Sequence, residues 1–423
     1  MDMRELKGME LAAKTHIAFK DGAWLVPSQT SPHKKYCVKL GDALFCDCDD
    51  FQLRKKPCKH VIAARLVCER EGRGEATKIV ADTVPKKKTY AQDWPTYNLA
   101  QMQEKSRFQA LLYDLCRGLT QPPRKCKAGR SPLPIADAVF AAVFKVYSTF
   151  SSRRFMCDLE DAHARDYLTR PIHYNCVNAF LENEDMTPIL HALIRRSALP
   201  LAAIEVDFAV DSTGFSASRF VQWREEKYGV TKSGHDWVKA HVCVGVATHI
   251  AAAVTILDRD AADSPQFAPL VRTTAEKFTI NEVSGDKAYS SVENTEAVFA
   301  LGGTPFISYK SNATGAAGGE GGLYEKMFHY YSLRREEFLA HYHKRSNAET
   351  LMSMIKAKFR DHVRSRTDAS MVNEVLCKFI CHNICCVIMS QCELGIEPIF
   401  WQDEQPGPNG GDDNPIILRL TPR

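Results

Sequence analysis

Hydrophobic and polar positions change their period three times along the chain. Up to about residue 74, strand-like runs "KYCVKL" and "ALFCDC" lead through a basic loop into the helical "HVIAARLVCEREG". Residues 75–98 are polar, with Lys86, Lys87 and Lys88 in a row and Pro85 and Pro95 as breakers. A helical period then covers "LAQMQEKSRFQALLYDLCRGL" and stops at "TQPPRKCKAGRSPLP", whose prolines and cations read as a linker. Residues 135–200 are mostly helical. Within them "MTPILHALIRRS" predicts a helix with Thr187 as N-cap, Pro188 at its first position, and Arg195 and Arg196 in its last turn.

From "LAAIEVDFAVDST" onward the pattern is that of strands, expected at 202–211, 237–246 and 249–257. A helix at 265–276, a strand running into "EVSGDKAYSS", a helix near 291–300 and the strand "TPFISYK" follow. The Gly-rich "SNATGAAGGEGG" lacks the Lys-Ser/Thr ending of a phosphate loop and reads as a connection. A helix over 342–359 and a long apolar helix, "MVNEVLCKFICHNICCVIMSQCEL", complete the series. Three strands, then alternating helix and strand, predict an α/β domain whose mixed sheet is covered by helices. The expected division is a small metal finger at 1–74, a helical and basic region at 75–134, a helical region at 135–200, the α/β domain at 201–400 and a tail at 401–423.

Composition adds bounds. The 423 residues suffice for two or three domains, and 45% hydrophobic with 25% charged residues describes a globular chain. The longest apolar stretch, "VCVGVATHIAAAVTIL", is too short and too polar to span a bilayer, so a soluble, intracellular protein without a membrane partner is expected. Fifteen cysteines, odd in number and irregular in spacing, argue against a secreted disulfide framework. The net charge of +4 is unevenly spread: residues 1–135 hold 25 Lys and Arg against 15 Asp and Glu. A basic N-terminal part suits a polyanion, and an acidic remainder concentrates carboxylates.

The first candidate for chemistry is "CDCDDFQLRKKPCKH". Cys46, Cys48, Cys58 and His60 offer three thiolates and an imidazole, the closed four-coordinate set of a structural zinc site. This CxC-then-CxH spacing, with a helix starting at the histidine, resembles the SWIM zinc finger. That resemblance implies binding to DNA or protein. Arg54, Lys55, Lys56 and Lys59 lie between or beside the ligands, so phosphate is the expected contact. Cys377, Cys381 and Cys385 recur every fourth residue and read as a packing face, and "RPIHYNCVNAFLENED" is a candidate helix-turn-helix.

The second candidate is a set of carboxylates. Asp211 is expected to end an apolar strand that Ser212, Thr213 and Gly214 break, and Asp286 follows a second strand beside Gly285. On a continuous helix from Tyr342, the residues Tyr342, Arg345, Glu349 and Lys356 fall within about 60° of one another, opposite Ala348, Leu351, Met354 and Ile355. Asp207 shares strand parity with Asp211, and Asp258, Asp260 and Asp263 form a rival acidic group. Bringing carboxylates to about 4 Å costs on the order of 4 kcal/mol per pair at an effective dielectric near 20. Two oxygen-seeking divalent ions remove that cost and supply phosphodiester chemistry. Arg345, Lys356 and Lys287 lie beside the carboxylates as candidate DNA contacts.

"AVDSTGFS", "SGDKAYSS" and "YHKRSNAETLMSMIKAKF" resemble the three catalytic segments of DDE-type insertion-sequence transposases. The last matches the Y-x2-R-x3-E-x6-K signature at Tyr342, Arg345, Glu349 and Lys356. The resemblance implies a ribonuclease H-like fold with Asp211 on the first strand, Asp286 after the fourth and Glu349 on a late helix. It also implies two Mg²⁺ or Mn²⁺ ions, nicking at element ends, attack of a 3′-hydroxyl on target DNA, and oligomers assembled on DNA in the cytoplasm at the nucleoid. Arg360 departs from the pattern, since relatives often carry glycine there.

Overall fold

The computed structural model describes residues 3–401 apart from 30, 32–33, 42, 72–92, 122–131, 217–226, 228–236, 259, 311 and 320. The chain opens with α1 (Met3–Lys14), strands β1 (Ala18–Lys20), β2 (Ala23–Pro27), β3 (Lys35–Lys39) and β4 (Phe45–Cys46), then α2 (Asp49–Arg54) and α3 (Lys59–Arg70). Helices α4 (Trp94–Arg117), α5 (Ile135–Ser148), α6 (Met156–Ala164), α7 (Tyr174–Glu182) and α8 (Met186–Ala198) follow. Next come β5 (Asp207–Ser216), β6 (Trp237–Gly245), β7 (Ala251–Asp258), α9 (Ser264–Ala275) and β8 (Glu282–Gly285). The series ends with α10 (Val292–Ala300), β9 (Thr304–Ile307), α11 (Leu323–Leu333), α12 (Arg335–Tyr342), α13 (Ser346–Phe359) and α14 (Asp368–Leu394).

These elements form two compact units that do not follow the linear order. The first holds Met1–Ala91, Lys287–Ala300 and Thr304–His343; the second holds Gln92–Asp286, Leu301–Gly303 and Lys344–Arg423. In the first, β1 to β4 make an antiparallel sheet in chain order. Its first hairpin turns on Asp21 and Gly22, both at positive φ (51° and 77°), the Asp-Gly pair that a tight two-residue turn requires.

In the second unit the strands run in the order β7-β6-β5-β8. Strands β5 and β6 pair antiparallel from Phe208↔Gly245 to Ser216↔Trp237. Strands β5 and β8 pair parallel from Asp207↔Glu282 to Val210↔Gly285. The sheet is therefore mixed, with α13 against β5 and β6 and α8 and α9 against β7. The strand expected at 202–211 begins only at Asp207 and continues past Asp211, because β6 supplies an antiparallel partner for every residue to Ser216. Gly214 does not break it: a Cβ there would lie 2.4 Å from the Trp237 ring, so glycine lets that ring cross the strand.

The long apolar helix α14 is long and apolar enough to cross a membrane, but 78% of its apolar window is buried inside the fold. Asn383 ties it to its neighbours, donating to the Ile194 and Ala251 carbonyls and accepting the Ala251 N–H. Asn373 accepts from Thr187 Oγ1 at 2.8 Å. Thr187 is thus inside α8, which starts at Met186 after Asp185, and is not its N-cap. Its hydroxyl is taken by a tertiary partner.

Burial carries His382 down to about 4, and its ring lies 2.8 Å from the His249 carbonyl. A depressed histidine contributes stability that is full above its unfolded value near 6.5 and is lost as pH falls toward 4. Urea titrations are expected to show a loss on the order of 3 kcal/mol across that window, absent from His382→Gln.

Candidate metal and catalytic sites

In the finger, local structure delivers the four donors. Cys46 ends β4, Cys48 and Cys58 are the N-cap residues just before α2 and α3, and His60 is in the first turn of α3. All four are buried, with donor atoms within 4.8 Å of one another. A tetrahedron with metal–sulfur bonds of about 2.3 Å has edges near ~3.8 Å, so one ion fits among them. The His60 Nδ1 faces the group, 3.9 Å from both Cys46 Sγ and Cys58 Sγ. Its ring stacks on Tyr36 at 4.2 Å, which holds its orientation. A hydrogen bond from Cys46 pulls the Cys58 thiol well below the ordinary range, with His60 and the Val61 N–H acting in the same direction.

Of the expected phosphate contacts, Arg54 is paired with Asp50 through Nε and Nη2 at 2.8 Å each, and Lys59 donates to Gln29 at 2.9 Å. Lys55 and Lys56 are exposed. The basic loop itself contains the short helix α2, with Lys55 closing it at φ 53°.

The carboxylate site belongs to the second unit. Its position follows from register: the parallel pairing of β5 and β8 ends at Val210↔Gly285, so Asp211 and Asp286 are the next residues on adjacent strands. Asp211 is not at the end of its own strand, but it lies just beyond the end of the parallel pair. Glu349 comes from the first turn of α13. Burial raises the Asp211 carboxyl above its ordinary range, and the charges of Glu349 and Asp286 push it further the same way. Its neighbour's N–H, Ser212, and the Arg345 guanidinium pull it back.

Arg345 bridges two of the carboxylates, at 3.4 Å from Asp211 and 2.8 Å from Glu349. A cation already pairs with Asp211 and Glu349, and the three carboxylates offer the oxygen ligands that suit Mg²⁺ or Mn²⁺. Among the described residues only the finger's donors form a group within 4.8 Å of one another. Beside it runs a groove of about 570 Å³ lined by Asp211, Ser212, Thr213, Glu349, Lys356 and Asp361, among others. Lys356 donates to Thr213 Oγ1 at 2.6 Å, and burial lowers its ammonium below the ordinary lysine value.

The helix expected over 342–359 is interrupted. Helix α12 ends at Tyr342, His343–Arg345 form a 3-10 turn, and α13 begins at Ser346. Lys344 is drawn to Asp207 and Glu282 at 2.7 Å each, and Asn347 donates back to the Lys344 carbonyl, which tightens the chain at this point. Tyr342 therefore does not share a helix face with Glu349; it packs on the core of the first unit. Lys287, exposed, also begins a segment of that unit. Met354 is 44% exposed, and Met352 takes the core position instead.

Two of the four rival carboxylates are engaged elsewhere: Asp207 with Lys344, and Asp263 with Lys239 at 2.6 Å. Sequence reasoning missed Thr213 and Asp361 as groove residues. Thr213 was legible only as a strand breaker, and Asp361 enters because the chain after α13 returns to β5, where Val363 N–H bonds the Ser216 carbonyl at 2.9 Å. The turn there places Arg360 at φ 74°, the left-handed region that favours glycine.

A mixed sheet flanked by helices, with acidic residues past adjacent strand positions and on a late helix, is a ribonuclease H-like catalytic domain. Residues 203–384 match the family model described as the transposase DDE domain, and residues 36–69 match the SWIM zinc finger. The chain thus carries a transposase DDE domain with a SWIM zinc finger ahead of it. No curated protein matches it.

Proposed function

We propose that the protein is an active insertion-sequence transposase of the Y-R-E-K signature group, which nicks element ends and joins the freed 3′-hydroxyl to target DNA. The groove lined by Asp211, Glu349 and Lys356, with the charge of Asp286 also acting on Asp211, carries this reading. The three carboxylates would hold two Mg²⁺ or Mn²⁺ ions, whose chemistry is to activate an attacking oxygen and stabilise a leaving one. Lys356, aimed by Thr213, holds a phosphate in the groove. Arg345 moves its charge between the carboxylates and the DNA backbone, and Tyr342 and Lys287 are further DNA contacts. In the first step water attacks a phosphorus at the element end and releases a 3′-hydroxyl. In the second, that hydroxyl attacks a target phosphodiester, with one bond formed for each bond broken.

Zinc at Cys46, Cys48, Cys58 and His60 folds the finger, whose Arg54, Lys55, Lys56 and Lys59 face phosphates without reading sequence. Two ends must be brought together, so the chain acts as an oligomer on DNA, in the cytoplasm at the nucleoid.

The full-length protein, given Mg²⁺ and DNA carrying the inverted repeats that flank its gene, is expected to yield both nicked and joined products. Nicking without joining would make it a nuclease, and binding without either would make it a regulator. Thr213→Val is expected to lower kcat/KM about tenfold by releasing Lys356, with Thr213→Ser restoring it.

A further inference from the structure

The finger shares its core with a later segment of the chain. Its ligands Cys46, Cys48 and Cys58, together with Val61 and Ala64, belong to one apolar cluster with Phe306, Tyr309, Tyr324, Met327, Tyr330 and Phe338. Those six aromatic and apolar side chains come from residues 304–343, more than two hundred positions later. Helix α1 is the common wall, packing against α3 on one side and α11 on the other. The approach to α3 is close: a Cβ on Gly8 would lie 2.7 Å from Ile62 Cγ2. Ion pairs cross the same way, from Lys14 to Glu325 at 2.8 Å and from Arg334 to Glu69 at 3.7 Å.

The chain enters this unit and leaves it at particular places. Asp286 is the last residue before entry, and Lys344, Arg345 and the helix carrying Glu349 follow the exit. The segment opens with the 3-10 turn Lys287–Tyr289. That turn is anchored inside the first unit: Tyr289 is 1% exposed, and Asn294 donates to its carbonyl at 2.8 Å.

We infer that zinc folds more than the finger: the ion completes the shared core on which residues 287–300 and 304–343 depend for their own packing. Without zinc the finger loses the ion's contribution to its folding. Residues 287–300 and 304–343, fewer than about 60 in all, then lose much of the apolar partner that holds them.

Amide hydrogen exchange on the full-length protein, before and after zinc removal by a competing chelator, tests the shared core. Protection should fall in α3 and equally in α10, α11 and α12, while α5, α8 and α14 keep theirs. Loss confined to residues 35–71 would overturn the inference. The converse arm uses Phe338→Ala, which touches the cluster from the late segment: zinc release to the chelator should accelerate at least tenfold, and an unchanged rate would overturn the inference as well.

Discussion

Glu349→Gln is expected to bind element-end DNA as the wild type does and to yield neither nicked nor joined product, a loss on the order of 10³-fold or more. The substitution keeps the size of the side chain and leaves a carbonyl that still accepts from Arg345, now 2.8 Å away. At 56% exposure the side chain contributes little packing, so folding is unaffected. What disappears is one negative charge from the group that would hold the divalent ions. DNA binding should persist because Glu349 sits beside Arg345 and Lys356, the proposed phosphate contacts, and removing a carboxylate there reduces repulsion. Gel-shift and end-labelled cleavage assays on the same preparation separate the two effects. Near-normal cleavage would remove Glu349 from the catalytic set.

Cys58→Ala is expected to reduce zinc from about one per chain to near zero and to unfold the first unit. Cys58 is fully buried, is the N-cap residue just before α3, and is one of four donors in a closed set, so three remaining ligands cannot complete the site. Binding of structural zinc is worth about 10–16 kcal/mol in small finger peptides, more than an ordinary domain's whole stability margin. Metal analysis and thermal unfolding check this. Unchanged zinc content would refute the ligand assignment.

The two sites were legible in the sequence to different degrees, for a physical reason. The finger's ligands lie within fifteen residues, and its hairpin and helix starts are local structures, so spacing alone placed all four donors together. The carboxylates are separated by tens of residues, and their strand contexts only nominated them. Apart from the motif resemblance, only the turn residues after Asp211 favoured it over Asp207, two strand-parity steps earlier, and β5 in fact runs on through them while Asp207 pairs with Lys344.

The sequence by itself determined the kinds of element, the finger's donor set and the amphipathic faces, because periodicity and short spacing are local properties. Only the tertiary structure decided that β5 runs on past Asp211, since that depends on β6 supplying partners to Ser216. It also decided that the helix breaks between Tyr342 and Ser346, where Lys344 turns to two carboxylates far away in the chain. Above all it assigned Lys287–Ala300 and Thr304–His343 to the unit of the finger. Hydrophobic periodicity tells which face of a segment must be buried; it does not tell which other segment will bury it.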